Sequence, residues 1–89
     1  MVGRGEAAGV TTRAQARREL AERATEREVT VVAAVVAAGS EKGAAHSLGL
    51  SHSTVKHHLA NARSKTGAAT TAQLVWILAA RLPHAGDAA

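Results

Sequence analysis

Helix-starting and helix-ending residues follow one another so closely in this chain that every segment between Thr25 and Pro83 is only a few helical turns long. Thr25-Glu26-Arg27-Glu28 is a capping box, in which the Thr25 hydroxyl accepts the Glu28 amide and the Glu28 carboxylate accepts the Thr25 amide. Gly39 then offers a left-handed C-terminal cap, and Ser40 starts the next segment at once. Gly49 ends that segment, Ser51 opens another, Gly67 stops it, Thr70-Thr71-Ala72-Gln73 forms a further capping box, and Pro83 closes the series. The punctuation predicts helices over 26–38, 41–48, 52–65 and 71–82.

Periodicity inside the segments agrees with helix. Val29, Val32, Ala33 and Val36 recur at i, i+3, i+4 and i+7. A strand is the competing reading of this valine run, since valine disfavours helices slightly. The cap, the interspersed alanines and the length favour helix. Leu50 precedes the Ser51 cap and Val55 lies inside the helix, the spacing of a hydrophobic staple. Upstream, residues 12–24 combine good helix formers with i,i+4 pairs such as Arg18 with Glu22, but Ala14, Leu20, Ala21 and Ala24 make a thin apolar stripe. That segment is expected to be a solvated or partner-dependent helix. Residues 1–24 therefore read as a flexible or helical extension, 25–83 as the folded unit and 84–89 as a disordered tail.

Charge narrows the partner. Eleven lysines and arginines face seven acids, a formal charge of +4. Beyond Glu28 the only acids are Glu41 and Asp87, whereas Lys42, Lys56, Arg63, Lys65 and Arg81 all lie there, so the positive field belongs to the C-terminal half and suits a polyanion. No cysteine is present, which removes disulfides and thiolate metal sites. The apolar runs 29–38 and 72–80 fall short of the roughly 20 residues that span a bilayer. No membrane partner and no export signal are expected, and the cytoplasm is the default location. Two acids in the last sixty-odd residues give no paired carboxylates, and neither a Ser-His-Asp set nor a phosphate-cradling glycine loop can be assembled, so catalysis is not expected. His46, His52, His57 and His58 invite a metal reading, but His57 and His58 diverge by about 100° on a helix and no cysteine completes a site, so no metal or other cofactor is expected.

Segment 52–65 carries the function. Val55, Leu59 and Ala62 fall on one stripe of a helical wheel, while Ser53, His57, Ala60, Asn61 and Ser64 point away from it, with Thr54 and Lys56 on the flanks. No acid occurs from His52 to Lys65. Any exposed helix face is polar, but this one follows a short capped helix and a glycine turn, the helix-turn-helix arrangement, and offers donors and cations of the kind that base edges and phosphates accept.

The run Thr25-x-Arg27-Glu28, Lys42-x-x-Ala45, Leu48-Gly49-Leu50-Ser51-x-x-Thr54-Val55-Lys56-x-His58-Leu59-x-Asn61 and Lys65-Thr66-Gly67 resembles the LuxR/GerE-type DNA-binding domain, with the likeness extending over about 25–82. The resemblance implies an all-α fold, a four-helix helix-turn-helix domain to which the upstream segment adds a possible N-terminal helix, in a bacterial transcriptional regulator. It implies that helix 52–65 enters the major groove of double-stranded DNA, that Lys56 and His57, with Ser53 turned outward beside them, read bases, and that Lys42, Ser51, Thr54, Asn61 and Lys65 contact phosphates. Ala60 occupies another base-reading place and has no hydrogen-bonding side chain. The chain departs from the family pattern at Ala24 (usually Leu), Thr30 (usually acidic), Gly43 (usually acidic), Ala44 and Ala62 (usually Ile) and Thr66 (usually Leu), and its turn at Gly39-Ser40 is one residue shorter.

Segment 71–82 is apolar on both sides, with Leu74, Leu78, Val75 and Leu82 on one and Trp76, Ile77 and Ala80 on the other. The second set is expected to form a homodimer seam with Trp76 as its anchor. A protein-interaction module that pairs with a larger regulator or RNA polymerase, without binding DNA alone, is the alternative from another functional class.

Overall fold

The computed structural model describes residues 12–83, and the expectations for 1–11 and 84–89 lie outside them. The described residues form five α-helices and no strand: α1 (Arg13–Ala21), α2 (Glu26–Ala38), α3 (Glu41–Leu48), α4 (His52–Thr66) and α5 (Thr71–Ile77), followed by one 3-10 turn, Ala79–Arg81.

Capping chemistry sets nearly every boundary. At α2 the Thr25 amide donates to Glu28 Oε1 at 2.9 Å and the Glu28 amide to Thr25 Oγ1 at 3.0 Å. Thr12 and Gln15 make the same reciprocal pair at α1, a box the sequence reading did not single out. The expected box at α5 is only half made. Thr70 accepts the Gln73 amide at 3.1 Å, while the Gln73 side chain accepts from Ala69 instead, at 2.7 Å. Gly49 and Gly67 hold φ of 69° and 78°, and the next amides, Leu50 and Ala68, reach back to the carbonyls of Ala45 and Arg63 in the wrap that glycine permits after a helix.

Three elements differ from their sequence expectation. The buried arc of α2 is Glu28, Val29, Val31 and Val32 with Val35 half-buried, while Val36 is 53% exposed. This helix is packed by both α3 and α4, so its apolar arc is wider than, and rotated from, a single 29-32-33-36 stripe. Helix α1 stops at Ala21 and is not a solvated rod. Ala21 and Ala24 are buried and Leu20 partly so, because alanines let α1 approach α4 and α5 closely. The expected 71–82 helix ends at Ile77. Leu82 is extended (ψ 147°), as the residue before a proline prefers, so the last turn tightens into 3-10 geometry before Pro83.

Arg81 fixes the two ends of the domain to each other. Its Nη1 donates to the carbonyls of Ala21 at 2.6 Å and Ala24 at 2.8 Å, and Nη2 lies 3.5 Å from Glu26. The Ala21 carbonyl, which also accepts the Ala24 amide, and the Ala24 carbonyl beyond it thereby meet a cation, which the helix dipole favours at this end of α1.

The core is built from small side chains closed around a few leucines. Leu59, Leu74, Leu78, Val31, Val32 and Val55 are fully enclosed, with Ala45 and Ala62 in the same cluster. Thr66 is also enclosed and returns its hydroxyl to the Ala62 carbonyl at 2.8 Å, so a polar group at a core position is satisfied within its own helix. Gly43 answers the short turn before it: a Cβ there would lie 2.8 Å from Ala38 Cβ and 3.0 Å from Ser40 Oγ.

Candidate nucleic-acid interface

Helices α3 and α4, joined through Gly49, make the helix-turn-helix, and Val55, Leu59 and Ala62 pin α4 into the core. With that stripe buried, the opposite face of α4 is fixed outward. Ser51 caps the helix, accepting the Thr54 amide at 3.1 Å, and its hydroxyl lies 2.8 Å from Thr54 Oγ1 and 3.2 Å from Ser53 Oγ. Three hydroxyls thus gather at the positive end of α4, where an anion is favoured. Lys56, His57 and Ser53 are exposed. Asn61 Nδ2 lies 3.2 Å from His57 Nε2, a contact along α4 that orients the ring and leaves its Nδ1 edge outside this pair. Lys42 is exposed on α3.

Lys65 is placed differently from the other expected phosphate contacts. Its Nζ sits 2.9 Å from Glu28 Oε2, so it first ties the end of α4 to the start of α2. Glu28 is only 4% exposed. Burial pushes its carboxyl up, but the hydrogen bond from Lys65, the Thr25 amide and the Lys65 charge together hold it below its ordinary value.

Two groups at the site were not anticipated. Glu41 begins α3 and accepts from His52 Nε2 at 3.1 Å across the turn, which brings a carboxylate to the edge of a face otherwise free of acids. Arg63 lies one turn beyond Ala60 and leans toward Thr71 Oγ1 at 3.5 Å. Ser53, Lys56, His57, Ala60, Arg63, Leu59 and Glu41 together line a depression of about 380 Å³ on α4. The i, i+3, i+4, i+7 spacing from Ser53 marks this arc in the sequence. Glu41 carries no such mark, since it arrives from another helix.

Around α5 the expected dimer residues separate. Ile77 is 7% exposed and belongs to the chain's own core, because α5 and the Leu78 that follows it bury Leu74, Ile77 and Leu78 together. Trp76 is 56% exposed, and the Arg17 guanidinium carbon stands 4.8 Å from its ring centroid, a cation–π contact between α1 and α5. Ala80 is exposed.

The family model for GerE, bacterial regulatory proteins of the luxR family, matches residues 23–78, a span that opens two residues after α1 and takes in α2 to α5 whole. The chain belongs to this family. It carries a LuxR-type helix-turn-helix DNA-binding domain, with α4 as the element that follows the turn. No curated protein and no solved structure matches it. In this LuxR-family chain the match begins after α1, so the helix that Arg81 and Trp76 hold lies outside the family's own span. No helix among the described residues is long and apolar enough to cross a membrane.

Proposed function

We propose that this LuxR-family chain is a sequence-specific transcriptional regulator that seats α4 in the major groove and binds DNA as a homodimer. The observation that carries the reading is the division of α4 into a face locked in the core by Val55, Leu59 and Ala62 and an outward face of Ser53, Lys56 and His57 beside the hydroxyls of Ser51 and Thr54. Lys56 and His57 are the principal base readers. Lys42, Ser51, Thr54 and Asn61 position the backbone, and Lys65 contributes only those N–H groups that Glu28 leaves free. Trp76 and Ala80 supply the outward surface for pairing, and RNA polymerase is the further partner such a regulator would meet.

A salt titration on genomic fragments tests this. Six to eight phosphate contacts per dimer give a log–log slope on the order of -5 to -7. Lys56→Ala relaxes sequence preference, whereas Lys42→Ala weakens all sequences alike. If the folded chain retains no fragment at low salt, the DNA-binding reading is lost and an interaction module takes its place. Sedimentation of Trp76→Ala against the parent tests pairing, and an unchanged mass removes Trp76 from it.

A further inference from the structure

We propose that Ala60 is a specificity residue that reads the C5 methyl group of a pyrimidine, with thymine as the base whose remaining edge suits its neighbours. The inference rests on α4 entering the major groove.

Ala60 is exposed in the middle of α4 and lies in the depression lined by Ser53, Lys56, His57, Leu59, Arg63 and Glu41. The lining is polar apart from Ala60 and Leu59, and of these two only Ala60 is exposed. Alanine is short and brings no hydrogen-bonding group, so a base edge that reaches position 60 meets a methyl group there.

Among the groups that bases present in the major groove, only the thymine C5 methyl is apolar, and alanine is one of the side chains that suits it. The neighbours decide between the two pyrimidines that can carry such a methyl group. Next to C5, thymine presents the O4 acceptor and 5-methylcytosine presents the N4 donor. Lys56 and Arg63 can only donate. Ser53 can do either, and Glu41, the one carboxylate of the lining, has its Oε1 taken by His52. The two cations on either side of the Ala60 methyl therefore favour thymine over 5-methylcytosine, beside a purine whose O6 or N7 meets Lys56.

The test uses the full chain and the sequence it selects from a random DNA pool. Each thymine of that sequence is replaced in turn by deoxyuridine, which removes only the methyl group, and each cytosine is replaced by 5-methylcytosine. One thymine position in each half-site is expected to lose affinity about threefold to fourfold on replacement, the effect of one buried methyl group. The loss is expected to vanish in Ala60→Gly and in Ala60→Ser, the latter guarding against a glycine that loosens α4. A gain at one methylated cytosine that vanishes in the same variants keeps the methyl reading and assigns the other base. Affinity that ignores every methyl group, or a methyl effect that survives both variants, overturns the role of Ala60 while selective DNA binding stands. Failure to select any sequence overturns both.

Discussion

The recognition unit α2 to α4 and the layer formed by α1, α5 and the last turn are held together by different means. In the recognition unit, capping contacts join residues three apart, and Gly49 and Gly67 turn the chain within a residue or two. Buried valines, alanines and Leu59 then lock the three helices. In the second layer the decisive contacts join the start of the chain to its end: Arg81 grips Ala21 and Ala24, and Arg17 covers Trp76. Local capping makes the DNA-facing unit insensitive to what happens far along the chain. Helix α5 shares the core through Leu74, Ile77 and Leu78, but α1 reaches it with little more than Ala21 and Leu20 and depends on Arg81 and Arg17, so α1 can come loose without unmaking the recognition unit.

The strongest way to break this contrast is to empty the recognition core. Leu59→Ala should cost about 2–5 kcal/mol, a large share of a small domain's stability, and a thermal melt followed by circular dichroism should show the whole domain weakened. Arg81→Met removes the grip on α1 and should cost about 2 kcal/mol, counting hydrogen bonds from a charged donor to carbonyls that are part-buried. Amide exchange should then show α1 deprotected while α2 to α4 keep their protection. If α2 to α4 exchange as fast as α1, the two regions are one cooperative unit and the contrast fails.

Lys65→Met tests the ion pair between α4 and α2, at about 1–2 kcal/mol, with the half-exposed lysine limiting the effect. Its sign with pH follows from Glu28, whose carboxyl titrates lower folded than unfolded. The stability it contributes is present above the ordinary carboxylate value of 4.5 and is lost as pH falls through the lower folded value. Removing Lys65 should therefore raise the pH at which acid unfolding begins, and a midpoint that does not move would show that the Thr25 amide alone holds the carboxylate. Ser51→Ala should have the smallest effect, about 1 kcal/mol for a lost cap. It should show as fraying of the first turn of α4 in amide exchange, with α1 and α5 untouched.

Local signals were legible in the sequence, and signals across the chain were not. Thr25, Ser40, Ser51 and Thr70 act on amides three residues away, so their helices could be read directly and the helix-turn-helix followed from them. Helix α2 was misread by a few positions because Val29, Val31, Val32, Val35 and Val36 are chemically alike, and only packing from two sides selects which are covered. Ile77 was assigned to the outside for a similar reason: an apolar residue on an apolar helix carries no mark of which neighbour buries it. At the interface, Lys56 and His57 stand where the wheel puts them. Lys65, in contrast, met a buried acid 37 residues earlier, and Glu41 entered the recognition face from α3. A charge surveyed along one helix does not reveal the charges that other helices bring to it.

Gly43 also limits what can be built at the corner between α2 and α3. A Cβ at that position would lie 2.8 Å from Ala38 Cβ and 3.0 Å from Ser40 Oγ, the hydroxyl that accepts the Gly43 amide. Any side chain there has to spread the Gly39-Ser40 turn or disturb the cap of α3. The closeness of the two helices at this corner therefore depends on a side chain that is missing, not on one that is present.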